Sequence, residues 1–326
     1  MTELLIFGLF GLVYGIVLQR SGFCFARAGF ELFLLRSREA CRGVLAALAA
    51  GTIGFAAVAA WRAHSGLDPQ THLLIIPFGL GTVVGGVLFG LGMALAGMCA
   101  AGTLLRIGEG YAVAWLSLLG LALGAALDPF RFLPEGWKTQ AAGVWLGGRI
   151  GLPAATAMML LLLAALWIAT ARRTQSPGLT RGWLIPPVVG GLILGLVNAV
   201  QSAYSAPWTV AYPLSLVAEA TSGRLTHGAV AAALPLLVLD AGLVAGALAS
   251  AASGARYRLK WPRSRQQVVT TLVGGVLMGW GVQLARGCSI GGAFSAFASL
   301  SLSAWLFLPA LLGGAWVGTQ VVRRGL

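Results

Sequence analysis

The chain has 326 residues, 58% of them hydrophobic and 10% charged, and its mean hydropathy is +0.87. Soluble domains carry about 25% charged residues, so this composition excludes a soluble globular protein, and no hydrophilic block is large enough to form a second, soluble domain. A formal net charge of +13 would suggest nucleic acid in a soluble chain; here the basic residues lie mostly in short loops, where they set membrane orientation and imply no nucleic acid.

The N-terminal run MTELLIFGLFGLVYGIVL has no basic n-region and no small-residue cleavage site, so it reads as a retained helix and not as a signal peptide. A membrane span needs about 20 mostly apolar residues. In chain order such spans are expected at 4–18, 43–61, 73–98, 111–127, 152–171, 184–201, 228–252, 268–285 and 302–322. Between them lie apolar stretches too short to cross, at 23–35, 139–149, 208–221 and 290–300. These predict re-entrant half-helices, which survive at membrane depth only when protein surrounds them. The expected fold class is an all-α polytopic membrane protein with about nine transmembrane helices plus short re-entrant helices.

One stretch is written twice. TVVGGVLFGLGMALAGMCAAG, Thr82–Gly102, returns as TLVGGVLMGWGVQLARGCSIG, Thr271–Gly291, without a gap. Gly85, Gly90, Gly92, Cys99 and Gly102 match Gly274, Gly279, Gly281, Cys288 and Gly291. Most of the 22 Lys and Arg residues fall on one side if the N-terminus is outside and the C-terminus cytoplasmic, with RYRLKWPRSR (256–265) as the firmest cytoplasmic anchor. The two copies then cross in opposite directions. A weaker match, GLVYGIV (Gly11–Val17) with GLILGLV (Gly191–Val197), agrees, and it sets Cys24 opposite the region of Tyr204 and Ser205. Inverted repeats with interrupted helices are a signature of transporters, with the substrate site where the repeats meet. The expected organisation is one transport domain, 1–326, with halves at about 1–175 and 182–326.

Three cysteines sit in glycine-containing breaks beside arginine: Cys24 with Arg20 and Arg27, Cys99 with Arg106, and Cys288 with Arg286. A free cysteine usually behaves as a small buried hydrophobe, the reading kept for Cys41; three in one context point instead to a path. An uncharged S–H in apolar surroundings is a weak donor with a polarizable sulfur. It can touch a sulfur-bearing anion without the repulsion that a thiolate would bring. Arg20, Arg27 and Arg106 would attract the anion at the mouths. Around Cys288 the candidate pathway adds Arg286, Gln283, Ser289, Gly291 and Gly292, the glycines admitting backbone N–H groups to an anion at a short helix start. Asn198, Gln201 and Asp240 also lie in spans, each as a functional group or as a partner for a neighbouring helix. His64, His72 and His227 fall in expected outside loops, and with no CxxC pair neither a zinc site nor a disulfide framework is indicated. No cofactor motif is present.

The motifs QRSGFCFARAG, GMCAAGTLLRIGEG and GCSIGGAFSAFASLSLSAWLFLPALLGG resemble those of the YeeE/YedE family of bacterial sulfur-transport membrane proteins. The resemblance implies an hourglass-like bundle of inverted repeats in the inner membrane and uptake of thiosulfate or a related sulfur compound. It also implies that Cys24, Cys99 and Cys288 line the route, and that a cytoplasmic TusA-like sulfur carrier is a partner. It implies a permease and not an enzyme, and it leaves thiosulfate and selenium branches unseparated. Two other functions compete on the residues alone: a membrane thiol–disulfide oxidoreductase and a less selective inorganic-anion channel.

Overall fold

The computed structural model describes residues 2–31, 38–127, 140–171, 184–223, 227–254 and 257–325. Several basic residues that set the expected orientation, among them Arg36, Arg131, Lys138, Arg172, Arg173, Arg181, Arg224 and Arg256, lie outside these residues.

The first half contains α1 (Thr2–Ser21), α2 (Phe25–Phe30), α3 (Glu39–His64), α4 (Leu80–Ala96), α5 (Ala100–Gly108), α6 (Ala112–Ala126), α7 (Leu146–Ile150) and α8 (Leu152–Ala171). The second contains α9 (Pro187–Tyr204), α10 (Ala211–Thr221), α11 (His227–Ser253), α12 (Arg265–Ala285), a π-helical turn (Gly291–Ser295) running into α13 (Ala296–Ala298), and α14 (Leu302–Gly325). Among the described residues, eight segments are long and apolar enough to cross a membrane. The ninth expected span is α6, which has only 15 residues. It starts just after a left-handed turn at Gly110 (φ 89°) and spans roughly 22 Å at 1.5 Å per residue, short of a hydrocarbon core.

Two other expectations need correction. The span foreseen at 73–98 is helical only from Leu80, because Pro77 and Gly79 keep the preceding chain extended. Its two-residue strand β1 (Phe78–Gly79) pairs antiparallel with β2 (Gln140–Ala141). Of the stretch expected at 139–149, the described residues 140–149 form no re-entrant half-helix. They hold β2 and the single turn α7, largely exposed and tied by Leu146 N–H to the Leu300 carbonyl. The fourth short buried helix is α5, which begins at Ala100, three residues after the left-handed Gly97 (φ 70°) that caps α4.

The repeat organises the packing. Gly85 meets Gly281, and Gly92 meets Gly274, so α4 and α12 run antiparallel with their glycines in contact. Since Gly85 matches Gly274 and Gly92 matches Gly281, the two contacts are images of each other. The outer helices follow the same exchange. Gly90 of α4 abuts the Leu311 carbonyl of α14, and Gly279 of α12 abuts the Leu121 carbonyl of α6. Likewise Gly11 of α1 packs on Leu239 of α11, and Gly191 of α9 packs on Gly43 of α3. These four outer pairs run parallel, and all five most extensive helix pairings among the described residues join one half to the other. Small residues permit such backbone approach, which drives helix association in lipid where apolar side chains gain nothing from leaving water.

Candidate functional site

The cysteines occupy the breaks that end three long helices. Cys24 is extended (φ −160°) just before α2, and its carbonyl accepts the Ala28 N–H at 2.9 Å. Cys99 caps α5: its Sγ accepts the Gly102 N–H at 3.4 Å, and its carbonyl accepts the Thr103 N–H at 2.7 Å. The second copy reproduces this arrangement. Cys288 Sγ accepts the Gly291 N–H at 3.3 Å, and its carbonyl accepts the Gly292 N–H at 2.7 Å. Even the helix terminators correspond, because Gly97 and Arg286 hold equivalent places and both are left-handed, at φ 70° and 50°.

These breaks converge. A side chain added at Gly102 would meet Cys24 Sγ at 3.5 Å and Cys99 Sγ at 3.6 Å, so the two thiols flank one glycine. Leu18, Phe23 and Ile290 complete a pocket whose free space, mouth included, is about 220 Å³. Beyond it the buried Ser289 hydroxyl approaches Cys99 without making a hydrogen bond of good geometry. Cys288 is next in the chain and fully buried. The segment before β1 covers it, with Leu74 against Gly291 and Ile76 against Gly287. That segment is pinned where Ser299 accepts the Leu74 N–H at 3.0 Å and Ser301 accepts the Ile76 N–H at 3.4 Å. The order along the row is thus Cys24, Cys99, Ser289, Cys288.

The counterpart of Cys24 is Thr209, not Tyr204 or Ser205. Thr209 Oγ1 stands against Gly291 as Cys24 Sγ stands against Gly102. The register read from α1 and α9 is lost because the linker before α10, residues 205–210, is longer than the Gly22–Cys24 linker before α2. Asn198 and Gln201 hold that longer linker. Asn198 Oδ1 accepts the Trp208 N–H at 2.9 Å, while Ser295 donates to the Trp208 carbonyl at 2.6 Å and accepts from Asn198 Nδ2 at 3.0 Å. Gln201 donates to the Ala206 carbonyl at 2.7 Å and accepts from Tyr14 at 2.8 Å, with the Tyr14 ring stacked on Trp208 at 4.0 Å. No motif marks Thr209 in the sequence.

The charged and glycine candidates distribute differently from the expectation. Arg20 donates to Ser250 at 3.1 Å, and Arg27 pairs with Glu31 at 2.5 Å, so both are engaged by protein. Arg106, at the end of α5 and over the Tyr111 ring, is within electrostatic reach of Cys24. Arg286 is exposed at the other end of the row. Gln283 donates to Glu219 on α10 and to the Ala125 carbonyl, a bridge between helices. The N–H groups of Gly291 and Gly292 are taken up by Cys288 itself, and a side chain at Gly292 would crowd the Phe307 ring at 3.0 Å. Cys41 lies in the first turn of α3, partly buried against the core, in keeping with a packing role. Among the described residues no group of His, Cys, Asp or Glu is arranged to hold a metal.

Glycine-packed copies crossing in opposite senses, with buried thiols where their breaks meet, define a polytopic membrane protein of the inverted-repeat kind. Residues 20–317 match the family described as Sulphur transport, and the chain belongs to that family. It is 28% identical to the thiosulfate transporter TsuA of Spirochaeta thermophila, over 97% of this chain and 98% of that one. It is 25% identical to the Escherichia coli protein of the same name, over 96% of this chain and 92% of that one. The probable transporter YedE of Escherichia coli matches a shorter piece, 34% identical over 79 residues, or 24% of this chain and 20% of that one.

Proposed function

We propose that the protein is a permease that takes up thiosulfate or a related sulfur-containing anion across the bacterial inner membrane, handing it along Cys24, Cys99 and Cys288. The observation that carries this reading is the row of thiols at the meeting of the two copies, Cys99 and Cys288 buried and Cys24 partly so. Two of these thiols are equivalent by repeat, and two flank Gly102. The naming of full-length relatives as thiosulfate transporters supports the substrate. Neutral S–H groups donate weakly to the anion's oxygens and present polarizable sulfur to its sulfur. Each contact is weak enough to be exchanged for the next. Ser289 bridges Cys99 and Cys288, and Thr209 supplies a hydroxyl where symmetry would place a fourth thiol. Arg286 attracts the anion at the outer end and Arg106 at the inner end. In this reading the N-terminus is outside, the C-terminus is cytoplasmic, and a TusA-like carrier receives the product at the basic inner face. The reading is tested by growth on thiosulfate as sole sulfur source in bacteria lacking their own importers. The wild-type chain restores growth, and the Cys24→Ala/Cys99→Ala/Cys288→Ala triple variant, present in the membrane at wild-type level, does not.

The adjacency of Cys24 and Cys99 gives a second reading, thiol–disulfide exchange, its geometric footing. Transport that persists unchanged in excess reductant excludes it, because a reduced pair cannot cycle.

A further inference from the structure

Asp240 is the central residue of α11 and is 3% exposed, yet neither carboxyl oxygen has a hydrogen-bond partner. The other buried acid among the described residues, Glu31, is paired with Arg27 and accepts the Ala40 N–H. A charged carboxylate in the middle of a span without partners is among the costliest groups a membrane protein can carry. A carboxyl without partners in such surroundings is tolerated when it holds a proton.

The groups on neighbouring elements are otherwise engaged. From α1, Tyr14 donates to Gln201 and Arg20 to Ser250. From α5, Arg106 lies over Tyr111. From α10, Glu219 accepts from Gln283, and Tyr212 is half-buried. Asp240 lies on the helix that packs against α1, α5 and α10, the elements next to the breaks and linker that hold Cys24, Cys99 and Thr209. An anion passing along these breaks is repelled by a carboxylate on that helix and tolerated by the neutral acid.

Resting on the permease reading, we propose that Asp240 is the proton-carrying residue of the transport cycle, so that each sulfur-containing anion moves inward with a proton bound at this carboxyl. The proton comes from the outer water when the path is open outward, is carried on a carboxyl oxygen while the anion passes the thiols, and is released to the inner water. No bond of the anion is broken.

The test uses purified full-length protein in liposomes containing a trapped pH indicator, with thiosulfate added outside. For the wild type, an acidic exterior accelerates thiosulfate accumulation several-fold over equal pH, and thiosulfate drives proton entry. Asp240→Asn, a neutral isostere, retains thiosulfate exchange at equal pH but loses both the response to the gradient and the thiosulfate-driven proton entry. Asp240→Glu restores them in part, which separates a proton-carrying role from a packing role. A wild type that transports thiosulfate with no proton entry, or an Asp240→Asn variant with an unchanged gradient response, overturns the inference and leaves the permease reading standing. A wild type that moves no thiosulfate in either condition overturns the permease reading itself.

Discussion

Gly85 and Gly281 touch backbone to backbone across the antiparallel pair α4 and α12. A Cβ on Gly85 would lie 2.7 Å from the Gly281 carbonyl oxygen, and one on Gly281 would lie 2.6 Å from that of Gly85. The repeat turns this contact into that of Gly274 with Gly92. The symmetry of the molecule therefore passes between these helices, and the breaks that hold Cys99 and Cys288 are the continuations of the same two elements.

Gly281→Val must push the two backbones apart. Overpacking of this kind costs about 1–3 kcal/mol. Because the thiol row spans the same interface, both the thermal midpoint of the detergent-solubilised protein and its thiosulfate uptake should fall, as read by size-exclusion thermostability and radiolabelled uptake. An exposed-face control, Val273→Ala, should leave both near wild type.

Single Cys→Ala substitutions at positions 24, 99 and 288 should each lower uptake by about tenfold or more, the effect of losing about 1.4 kcal/mol at one step. Removing one small sulfur leaves a minor cavity, so folded yield should change little. Cys41→Ala should retain wild-type uptake. Equal uptake by Cys99→Ala and Cys41→Ala would contradict the proposed route.

Thr209 predicts a graded series. Thr209→Cys, which completes the symmetry of the row, should keep uptake within a few-fold of wild type. Thr209→Val keeps the shape and removes the hydroxyl, so uptake should fall while the thermal midpoint holds. Oxidation of Thr209→Cys with a membrane-permeant oxidant should also block uptake if its sulfur reaches Cys288.

Arg286 separates conformation from charge. Its left-handed backbone costs a non-glycine residue roughly 1–2 kcal/mol, and the equivalent position in the first copy is already Gly97. Arg286→Gly should raise the thermal midpoint and, by removing the outer positive charge, raise the apparent KM for thiosulfate. Arg286→Lys should restore the KM without the gain in stability.

The clamp on the 205–210 linker is open to a stability measurement. Asn198→Ala strips the Trp208 N–H and the Ser295 hydroxyl of a partner at a fully buried site. Leaving a buried donor unsatisfied costs about 1–3 kcal/mol. The thermal midpoint should fall, and uptake should fall with it because Thr209 hangs from the same linker.

The sequence by itself determined the membrane class, the doubled glycine–cysteine stretch, its inverted crossing and the three thiols in helix breaks. These are local facts: apolar length sets the spans, and a repeat in register needs no coordinates to be seen. What only the tertiary structure decided depends on distances between remote segments. Arg20, Arg27 and Gln283 are engaged by Ser250, Glu31 and Glu219, which lie far along the chain or on the next turn. The short helix Ala100–Gly108 emerged because a left-handed glycine ends α4 inside an unbroken apolar run. Thr209 came to face Gly291, and Asp240 to stand unpartnered on a helix packed against α1, α5 and α10, because linker length and helix packing fix these neighbours, and neither leaves a periodic trace in the residues themselves.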